Sequence, residues 1–407
     1  MKINYKTTLY SCYIGYITQA IINNLAPLLF IIFQNQFHIT FEMLGSLILI
    51  NFVTQLAVDI ITVKIVNHFG YRPLMILAHT SAALGLISLG FLPNILPNPY
   101  IGMIFSIVLY AIGGGLIEVL VSPIVDSIPG DNKSGAMSLL HSFYCWGQVG
   151  VVLITTLLLF FIGRDKWTII TVLWSLIPIT NIFLLMRVPL MSPVPEEGQT
   201  PIRKLFTRKA FLLIMIIMIC AGASELTMSQ WSSLFAEKGL NVSKVFGDLL
   251  GPCLFAIFMG IGRMSHGLWG SKIKLEKLLV ASALLCVSCY LITVFSPYPI
   301  LSLIACGLTG LSVSLMWPGA FSLASNRFPS GGASMFGILA VCGDLGCASG
   351  PWISGIISNK VAKLNIGNPL ADQLALKTGL LMGTIFPAIL LICLLLAMNN
   401  SKKKILN

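Results

Sequence analysis

The sequence predicts an all-α membrane protein with twelve transmembrane helices in two pseudo-symmetric six-helix bundles. Three observations support this prediction: the composition, the number of apolar segments, and short motifs that recur between the two halves of the chain. Of the 407 residues, 56% are hydrophobic and only 10% are charged, whereas soluble domains carry about 25% charged residues. The chain is therefore expected to fold within a lipid bilayer.

Twelve segments are long and apolar enough to cross a bilayer, since a helical span needs about 20 apolar residues. Clusters of proline, glycine and charged residues separate them. The first segment is too long for the core of a signal peptide, and no small-residue cleavage site follows it, so we expect it to stay in the protein. Numbered as spans 1 to 12, the segments are predicted at residues 8–33, 42–66, 73–92, 100–127, 134–162, 167–187, 209–235, 245–269, 277–295, 299–325, 333–359 and 375–398.

The Lys and Arg residues fall mainly on one side of this topology. Because cytoplasmic loops carry an excess of Lys and Arg, both termini are predicted to be cytoplasmic, in a multi-pass protein of the cell (cytoplasmic) membrane. This bias accounts for the net charge of +11, so no nucleic-acid partner is expected. Of the 25 Lys and Arg residues, 18 lie on the side of the termini and seven lie in the opposite loops, namely Arg164, Lys166, Lys238, Lys244, Lys360, Lys363 and Lys377.

A polar stretch near the middle of the chain separates two groups of six spans. It reads RVPLMSPVPEEGQTPIRKLFTRK at 187–209 and contains four prolines and two adjacent glutamates. Such a composition is typical of a linker. We therefore predict an N-terminal six-helix bundle at 1–187, a cytoplasmic linker at 188–208 and a C-terminal six-helix bundle at 209–407.

The two bundles also share short motifs in the same order, as internal repeats do. The shared features are a Gly-Leu pair with a proline eight residues after the glycine in spans 4 and 10, paired glycines in spans 5 and 11, and a short loop motif after spans 2 and 8. The offsets between matching positions lie between 195 and 200 residues. The matches are Gly115 and Pro123 with Gly310 and Pro318, Gly135 and Gly147 with Gly331 and Gly343, and FGYR (69–72) with WGSK (269–272).

Glu118 is the least expected residue, because it lies near the middle of span 4 with no Lys or Arg at similar depth in its half. Ionisable residues inside a membrane are costly and usually face a cavity or a partner. One interpretation is an acid that pairs with a neighbouring helix for stability. The interpretation we favour is a cavity-facing group that binds substrate hydroxyls or carries a proton.

Other spans carry polar residues at helical spacing. Their amide, hydroxyl and aromatic groups suit a sugar, whose ring offers hydroxyl edges and an apolar face, although hydrogen bonds between helices are the alternative interpretation. We predict a proton-coupling role for Glu118 and Glu225. The predicted substrate-binding residues are Asn23, Asn24, Glu118, His141, Tyr144, Gln148, Glu225, Trp231 and Trp317.

A second set of residues is predicted to act in gating. Arg263 is a candidate ion-pair partner for Asp344 or Asp248, and the sequence does not choose between them. Trp317-Pro318 in span 10 is a further candidate gate, because a proline frees a backbone carbonyl and permits bending. The predicted gating residues are Asp59, Gly70, Arg72, Asp126, Arg263 and Asp344.

No motif indicates an enzyme, a metal site or a cofactor. The five histidines are scattered singly. Of the ten cysteines only Cys286 and Cys289 are closely spaced, and they have neither a second pair nor a nearby histidine. We interpret the cysteines as small buried hydrophobic residues. The protein is expected to act as a monomer.

The loop VNHFGYRP (66–73) resembles the signature of the major facilitator superfamily between its second and third helices. Gly70 and Arg72 match the signature, whereas Asn67 and His68 replace its acid and base. The resemblance implies that Arg72 pairs with Asp126. It also implies parallel six-helix repeats with a substrate site near the midplane between them.

Three further stretches resemble the fucose permease-like branch of sugar–proton symporters: GGGLIEVLVSP (113–123), SLLHSFYCWGQ (138–148) and MWPGAFSLASNRFP (316–329). The resemblance implies that Glu118 contacts the sugar. One departure concerns span 1, where INNLAPLL (22–29) has two asparagines in place of the asparagine–aspartate pair of fucose permease. A coupling proton would therefore titrate Glu118, Glu225 or another acid.

Together these features predict a secondary transporter that works by alternating access. Its substrate is predicted to be a small hydroxylated solute, a sugar above all, carried with a proton. Two alternatives stay open, namely a drug or metabolite efflux transporter of the same superfamily and an uncoupled uniporter.

Overall fold

The computed structural model describes residues 4–128, 133–190, 205–269, 274–328 and 332–405. Within these ranges, eleven helices are long and apolar enough to cross a membrane, and one bent pair of helices makes a twelfth span. No strand occurs in the described ranges. The prediction of an all-α protein with twelve spans is confirmed. Helices are expected here because lipid offers no partner for an unpaired backbone group.

Contacts between residues divide the chain into two compact units, Met1–Pro195 and Glu196–Asn407. The first unit contains spans 1 to 6. Span 1 consists of two helices and span 6 begins with a short 3₁₀ turn at Arg164–Lys166. In order, the helices are Tyr5–Leu28 and Phe30–Phe37 (span 1), Phe41–Phe69, Tyr71–Ile95, Pro99–Ser127, Lys133–Ile162 and Trp167–Leu185.

The second unit contains spans 7 to 12, and several of them change helix type along their length. Span 7 comprises Lys209–Leu234 and a π-helical turn at Phe235–Gly239. Span 8 comprises Lys244–Asp248, a second π-helical turn at Leu249–Cys253, and Leu254–Trp269. The remaining helices are Leu275–Phe295 (span 9), Pro299–Val313 and Met316–Arg327 (span 10), Gly332–Leu364 (span 11), and Ala371–Gly383 and Ile385–Ile405 (span 12).

The same pairs of spans pack together within each unit. In the first unit, span 1 packs on spans 4, 5 and 6, span 4 packs on spans 2 and 3, and span 3 packs on span 6. In the second unit, span 7 packs on spans 10, 11 and 12, span 10 on spans 8 and 9, and span 9 on span 12. The internal repeat of the sequence therefore corresponds to a repeat of helix packing.

Glycines set the closest of these helix contacts. Gly222 of span 7 lies against Gly343 of span 11, and a Cβ added to Gly350 would lie only 2.9 Å from the Cα atom of Ala223. The counterpart of Gly343 is Gly147, whose added Cβ would lie 3.0 Å from the Cβ atom of Ala20 in span 1. Small residues let backbones approach in membranes, where close packing replaces the hydrophobic effect as the source of helix association.

Prolines lie beside helix breaks in two of the spans, whereas a third proline lies inside an unbroken helix. Span 1 bends by 44° between its two helices, just after Pro27, which cannot donate to the carbonyl of Asn23. Span 10 breaks between Val313 and Met316, which places Pro318 in the first turn of a new helix. A missing N–H costs little there, because first-turn N–H groups lack intrahelical partners. Its repeat counterpart Pro123 lies inside a continuous helix.

Candidate functional site

A chain of side-chain hydrogen bonds connects spans 1, 2 and 4 of the first unit. Gln19 is its branching point: its Nε2 atom donates to Oε2 of Glu118 at 3.1 Å and to Oε1 of Gln55 at 2.8 Å. Nε2 of Gln55 donates in turn to Oδ1 of Asn23 at 2.9 Å. The carboxyl group of Glu118 is thus tied to amides of two other spans.

The series of side-chain hydrogen bonds continues towards span 5. Asn51 donates to Oδ1 of Asn23 at 3.1 Å, and Nδ2 of Asn23 donates weakly to the hydroxyl group of Tyr144 at 3.5 Å. Asn24 takes no part in these bonds and donates instead to the backbone carbonyl of Ala20 at 2.9 Å. We call the connected set the polar network; its members are Gln19, Asn23, Asn51, Gln55, Glu118 and Tyr144.

Sequence spacing explains how the polar network assembles. Gln19 and Asn23 are four residues apart in span 1, as are Asn51 and Gln55 in span 2, so each pair occupies one helix face. In span 4 the glycine run makes room for them. A Cβ added to Gly114 would lie 2.9 Å from Cδ of Gln55 and 3.1 Å from Oε1 of Gln19.

The polar network has an interior and an accessible edge. Its amides are buried, whereas Glu118 and Tyr144 are partly exposed. His141 is exposed one turn before Tyr144, and its ring lies 5.3 Å from that of Tyr16. The hydroxyl group of Tyr16 in turn lies 3.1 Å from that of Ser122 in span 4. The edge therefore offers a carboxyl group, hydroxyl groups and aromatic faces to a bound solute.

Asp59, predicted as a gating residue, continues the polar face of span 2 one turn beyond Gln55. Its side chain is 8% exposed, and its Oδ1 atom has no hydrogen-bond partner among the residues that the structure describes. Span 4 lies against it at Gly115, three residues before Glu118, where an added Cβ would lie 2.9 Å from Oδ1 of Asp59. The sequence shows both acids but does not indicate that they lie at the same helix interface.

The loop between spans 2 and 3, which carries the predicted gating residues Gly70 and Arg72, caps the ends of two helices. Gly70 has a φ angle of 77°, which favours glycine, and its N–H donates to the carbonyl of Val66 at 2.8 Å where span 2 ends. Arg72 binds the C-terminal end of span 6, where carbonyls lack helical partners. The side chain of Asp126 lies outside the part of the chain described, so its pairing with Arg72 stays a prediction. The guanidinium group donates to the carbonyls of Leu185 at 2.9 Å, Met186 at 2.6 Å and Val188 at 2.8 Å.

In the second unit, Glu225 lies beside Arg263, with its Oε2 atom 3.8 Å from the guanidinium Nη2. The sequence left the partner of Arg263 open between Asp344 and Asp248. Asp248 instead pairs with Lys244 at 3.0 Å and accepts from Ser233 at 2.5 Å, all three side chains being buried. Asp344 is buried in span 11, and its pairing with Arg263 stays a prediction. The sequence does not indicate the Lys244–Asp248 pair, because Lys244 falls in a predicted loop.

The remaining predicted contacts differ in accessibility. Trp231 is 1% exposed and its indole N–H donates to the carbonyl of Pro351 at 3.0 Å, so it is part of the packing between spans 7 and 11. Trp317 is partly exposed and lies against Gly343. Gln148 is buried in span 5. The polar network and these two tryptophans belong to separate units.

No metal centre is visible in the described part of the chain, where no three His, Cys, Asp or Glu side chains come together in a suitable group. The ten cysteines are buried and unlinked. The polar network itself offers side-chain amides, the hydroxyl group of Tyr144 and the carboxyl group of Glu118.

Comparisons with known proteins agree on one fold. A family model described as Major Facilitator Superfamily matches residues 12–351. A comparison with curated protein sequences finds no match. Several solved transporter structures resemble the chain along almost its whole length, at sequence identities that show the fold alone.

A bacterial homologue of the human lysosomal transporter Spinster, in an inward-facing and occupied conformation, has a TM-score of 0.76 at 13% identity, with 98% of each chain covered. A D-xylose–proton symporter has a TM-score of 0.72 at 14% identity, covering 94% of this chain and 95% of its own. The E. coli fucose:proton symporter has a TM-score of 0.64 at 16% identity, covering 96% and 98%.

Proposed function

Because the chain belongs to the Major Facilitator Superfamily, we propose that it carries a small hydroxylated solute, a sugar, together with a proton. The family and its solved neighbours make the chain a multi-pass membrane transporter of a small molecule and not an enzyme. The solute class, the coupling proton and transport by alternating access belong to the proposal.

The observation that supports the proposal is the polar network with its accessible edge. A sugar needs hydrogen-bond donors and acceptors around its rim and an apolar surface against its ring face. We propose that Glu118, His141 and Tyr144 contact the solute, since all three are at least partly exposed. Asn23 and Gln19 lie behind them and hold the orientation of Tyr144 and Glu118 through hydrogen bonds.

The other predicted contacts keep narrower roles in the proposal. Asn24 and Gln148 are buried and would support the spans that carry the site. Trp317 is partly exposed and remains a candidate contact from the second unit. Glu225 remains a second candidate for proton coupling, with its charge offset by Arg263.

We further propose that the bundles predicted at 1–187 and 209–407 act as the two moving bodies, joined by the segment 188–208. The proposed location is the cytoplasmic membrane with both termini in the cytoplasm, which follows from the distribution of Lys and Arg. The protein would act as a monomer.

Two rival functions make different demands on the same residues. An efflux transporter for hydrophobic drugs would be expected to expose a more apolar, Met- and Phe-rich surface, and the hydrogen-bonded amides argue against it. A nucleoside transporter shares the fold at 12% identity and a TM-score of 0.75. A nucleoside also presents sugar hydroxyls, so nucleosides belong in any test of the substrate class.

The test is uptake into proteoliposomes that contain the purified protein. Radiolabelled monosaccharides, disaccharides and nucleosides are each offered with and without a pH gradient directed inwards. We expect one sugar to accumulate above its external concentration only when the gradient is present, and a protonophore to abolish the accumulation. Uptake that is the same with and without the pH gradient would identify a uniporter. Uptake of nucleosides alone would reject the proposal that the substrate is a sugar.

Replacement of Glu118 tests its assigned role. We expect Glu118→Gln to abolish gradient-driven accumulation, because an amide keeps the hydrogen bond from Gln19 only by reorienting and cannot exchange a proton. The control is Glu42→Gln, an exposed acid at the start of span 2. Accumulation that survives Glu118→Gln in a folded protein would reject this role.

A further inference from the structure

Asp59 is a buried ionisable group that the substrate proposal leaves unused. It is 8% exposed, and its Oδ1 atom is without a hydrogen-bond partner in the described part of the chain. A buried polar atom without a partner costs free energy and calls for an explanation. The position of this carboxyl group in the packing of spans 2 and 4 suggests one.

Span 4 packs the helical turn before Glu118 against Asp59. Gly115, three residues before Glu118, leaves the space that Asp59 occupies, because a Cβ at this position would lie 2.9 Å from Oδ1 of Asp59. Residues three apart lie on the same side of a helix, so Glu118 and Asp59 belong to the same interface of spans 4 and 2. Hydrogen bonds also connect the neighbourhoods of the two acids. Gln19 donates both to Glu118 and to Gln55, and Gln55 lies one turn before Asp59 in span 2.

The pair has no cation to balance it among the residues described. In the described part of the chain, Glu118 accepts a hydrogen bond from the neutral amide of Gln19, and Oδ1 of Asp59 has no hydrogen-bond partner. Two adjacent carboxylates in a medium of low dielectric constant repel each other strongly. One bound proton removes the repulsion and turns the pair into a donor and an acceptor.

We propose that Asp59 and Glu118 together form the site of the coupling ion and share one exchangeable proton. On loading, a proton from water forms an O–H bond with one carboxyl oxygen of the pair, which leaves a single negative charge. On release the O–H bond breaks and the proton returns to water on the other side of the membrane. This inference rests on the proposed function in one respect, the use of a proton as the coupling ion.

Asp59 therefore has a role different from gating. A purely structural aspartate would be served equally well by asparagine, which has the same shape and supplies a hydrogen-bond donor. A proton carrier would instead tolerate glutamate, which keeps the carboxyl group. The two substitutions separate these roles in one protein.

The first experiment needs no substrate. Infrared difference spectra of the purified protein, recorded during a pH titration, report the C=O stretching band of protonated carboxyl groups. We expect one such titrating band to be lost or shifted in both Asp59→Asn and Glu118→Gln and to be retained in Asp59→Glu. Asp165→Asn, at an exposed position before span 6, is the matched control and should leave the band unchanged.

The second experiment measures coupling with the sugar that the wild-type protein accumulates. We expect Asp59→Asn to reduce the accumulation ratio to one while sugar counterflow, which needs no net proton movement, persists. Asp59→Glu should restore part of the accumulation. If Asp59→Asn retains both the titrating band and full accumulation, the inference is overturned.

The two experiments test the carboxyl pair and the sugar proposal separately, so either can fail without the other. If no sugar is transported but the band responds to both replacements, the carboxyl pair stands and the sugar proposal fails. If a sugar accumulates with the gradient but the band depends on Glu118 alone, the sugar proposal stands and the role of Asp59 is refuted. Loss of counterflow together with an unchanged band would likewise count against Asp59 as a proton carrier.

Discussion

The close packing of span 4 on span 2 can be tested by adding one methyl group at Gly115. In Gly115→Ala the new Cβ would lie 2.8 Å from the backbone oxygen of Gln55, 2.9 Å from Oδ1 of Asp59 and 3.0 Å from Cβ of Val58. Ordinary van der Waals contact begins at 3.4 Å. Because one of these atoms belongs to the backbone, the strain cannot be relieved by rotation of a side chain, and the two spans must move apart.

The expected cost follows from the packing of the site. Overpacking a well-packed core destabilises by about 1–3 kcal/mol. For a unit of this size, each kcal/mol shifts the unfolding midpoint by about 2–4 °C, so the midpoint of Gly115→Ala should lie about 2–12 °C below that of a Gly→Ala variant that meets no such crowding. The separation of spans 2 and 4 should also move Asp59 away from the turn that carries Glu118 and so reduce the proposed proton-driven accumulation.

Gly150→Ala is the matched control, because its added Cβ meets no atom within 4 Å. Both substitutions reduce backbone entropy in a helix, which favours alanine by about 0.5–1 kcal/mol, so their difference isolates the packing term. Unfolding is followed by circular dichroism in detergent on proteins of matched lipid content. Equal midpoints for the two variants would refute the close approach of spans 2 and 4.

Two other contacts give predictions of stability. Arg72→Lys should destabilise the first unit by about 1.5–3 kcal/mol, because a single ammonium nitrogen does not reproduce the planar fork in which two guanidinium nitrogens reach three carbonyls at the end of span 6; an unfolding midpoint equal to that of the wild-type protein would contradict this. Lys244→Met should cost about 3–5 kcal/mol by removing the ammonium group that balances the buried carboxylate of Asp248, and the double variant Lys244→Met/Asp248→Leu should recover most of the loss. Thermal unfolding measures both effects, and a double variant no more stable than Lys244→Met would show that the charge pair is not the cause.

The sequence by itself determined the membrane architecture of this protein. Apolar segments in lipid must satisfy their backbone hydrogen bonds internally, so twelve of them become twelve helices whatever their detailed contacts are. Motif offsets such as that between Gly147 and Gly343 indicated the repeat. The four-residue spacing of Asn51, Gln55 and Asp59 predicted one polar helix face, because side-chain direction along a helix follows from local geometry.

Only the tertiary structure decided which polar side chains meet. The rotation of each helix about its axis and its choice of neighbour depend on packing between distant segments, which periodicity does not encode. The contacts of Gln19 with Glu118, and of Glu225 with Arg263, could therefore not be predicted from spacing. For the same reason Trp231 is part of helix packing and not at an accessible surface. The neighbourhood of Asp59 and Glu118 likewise arises from the space left by glycine in span 4.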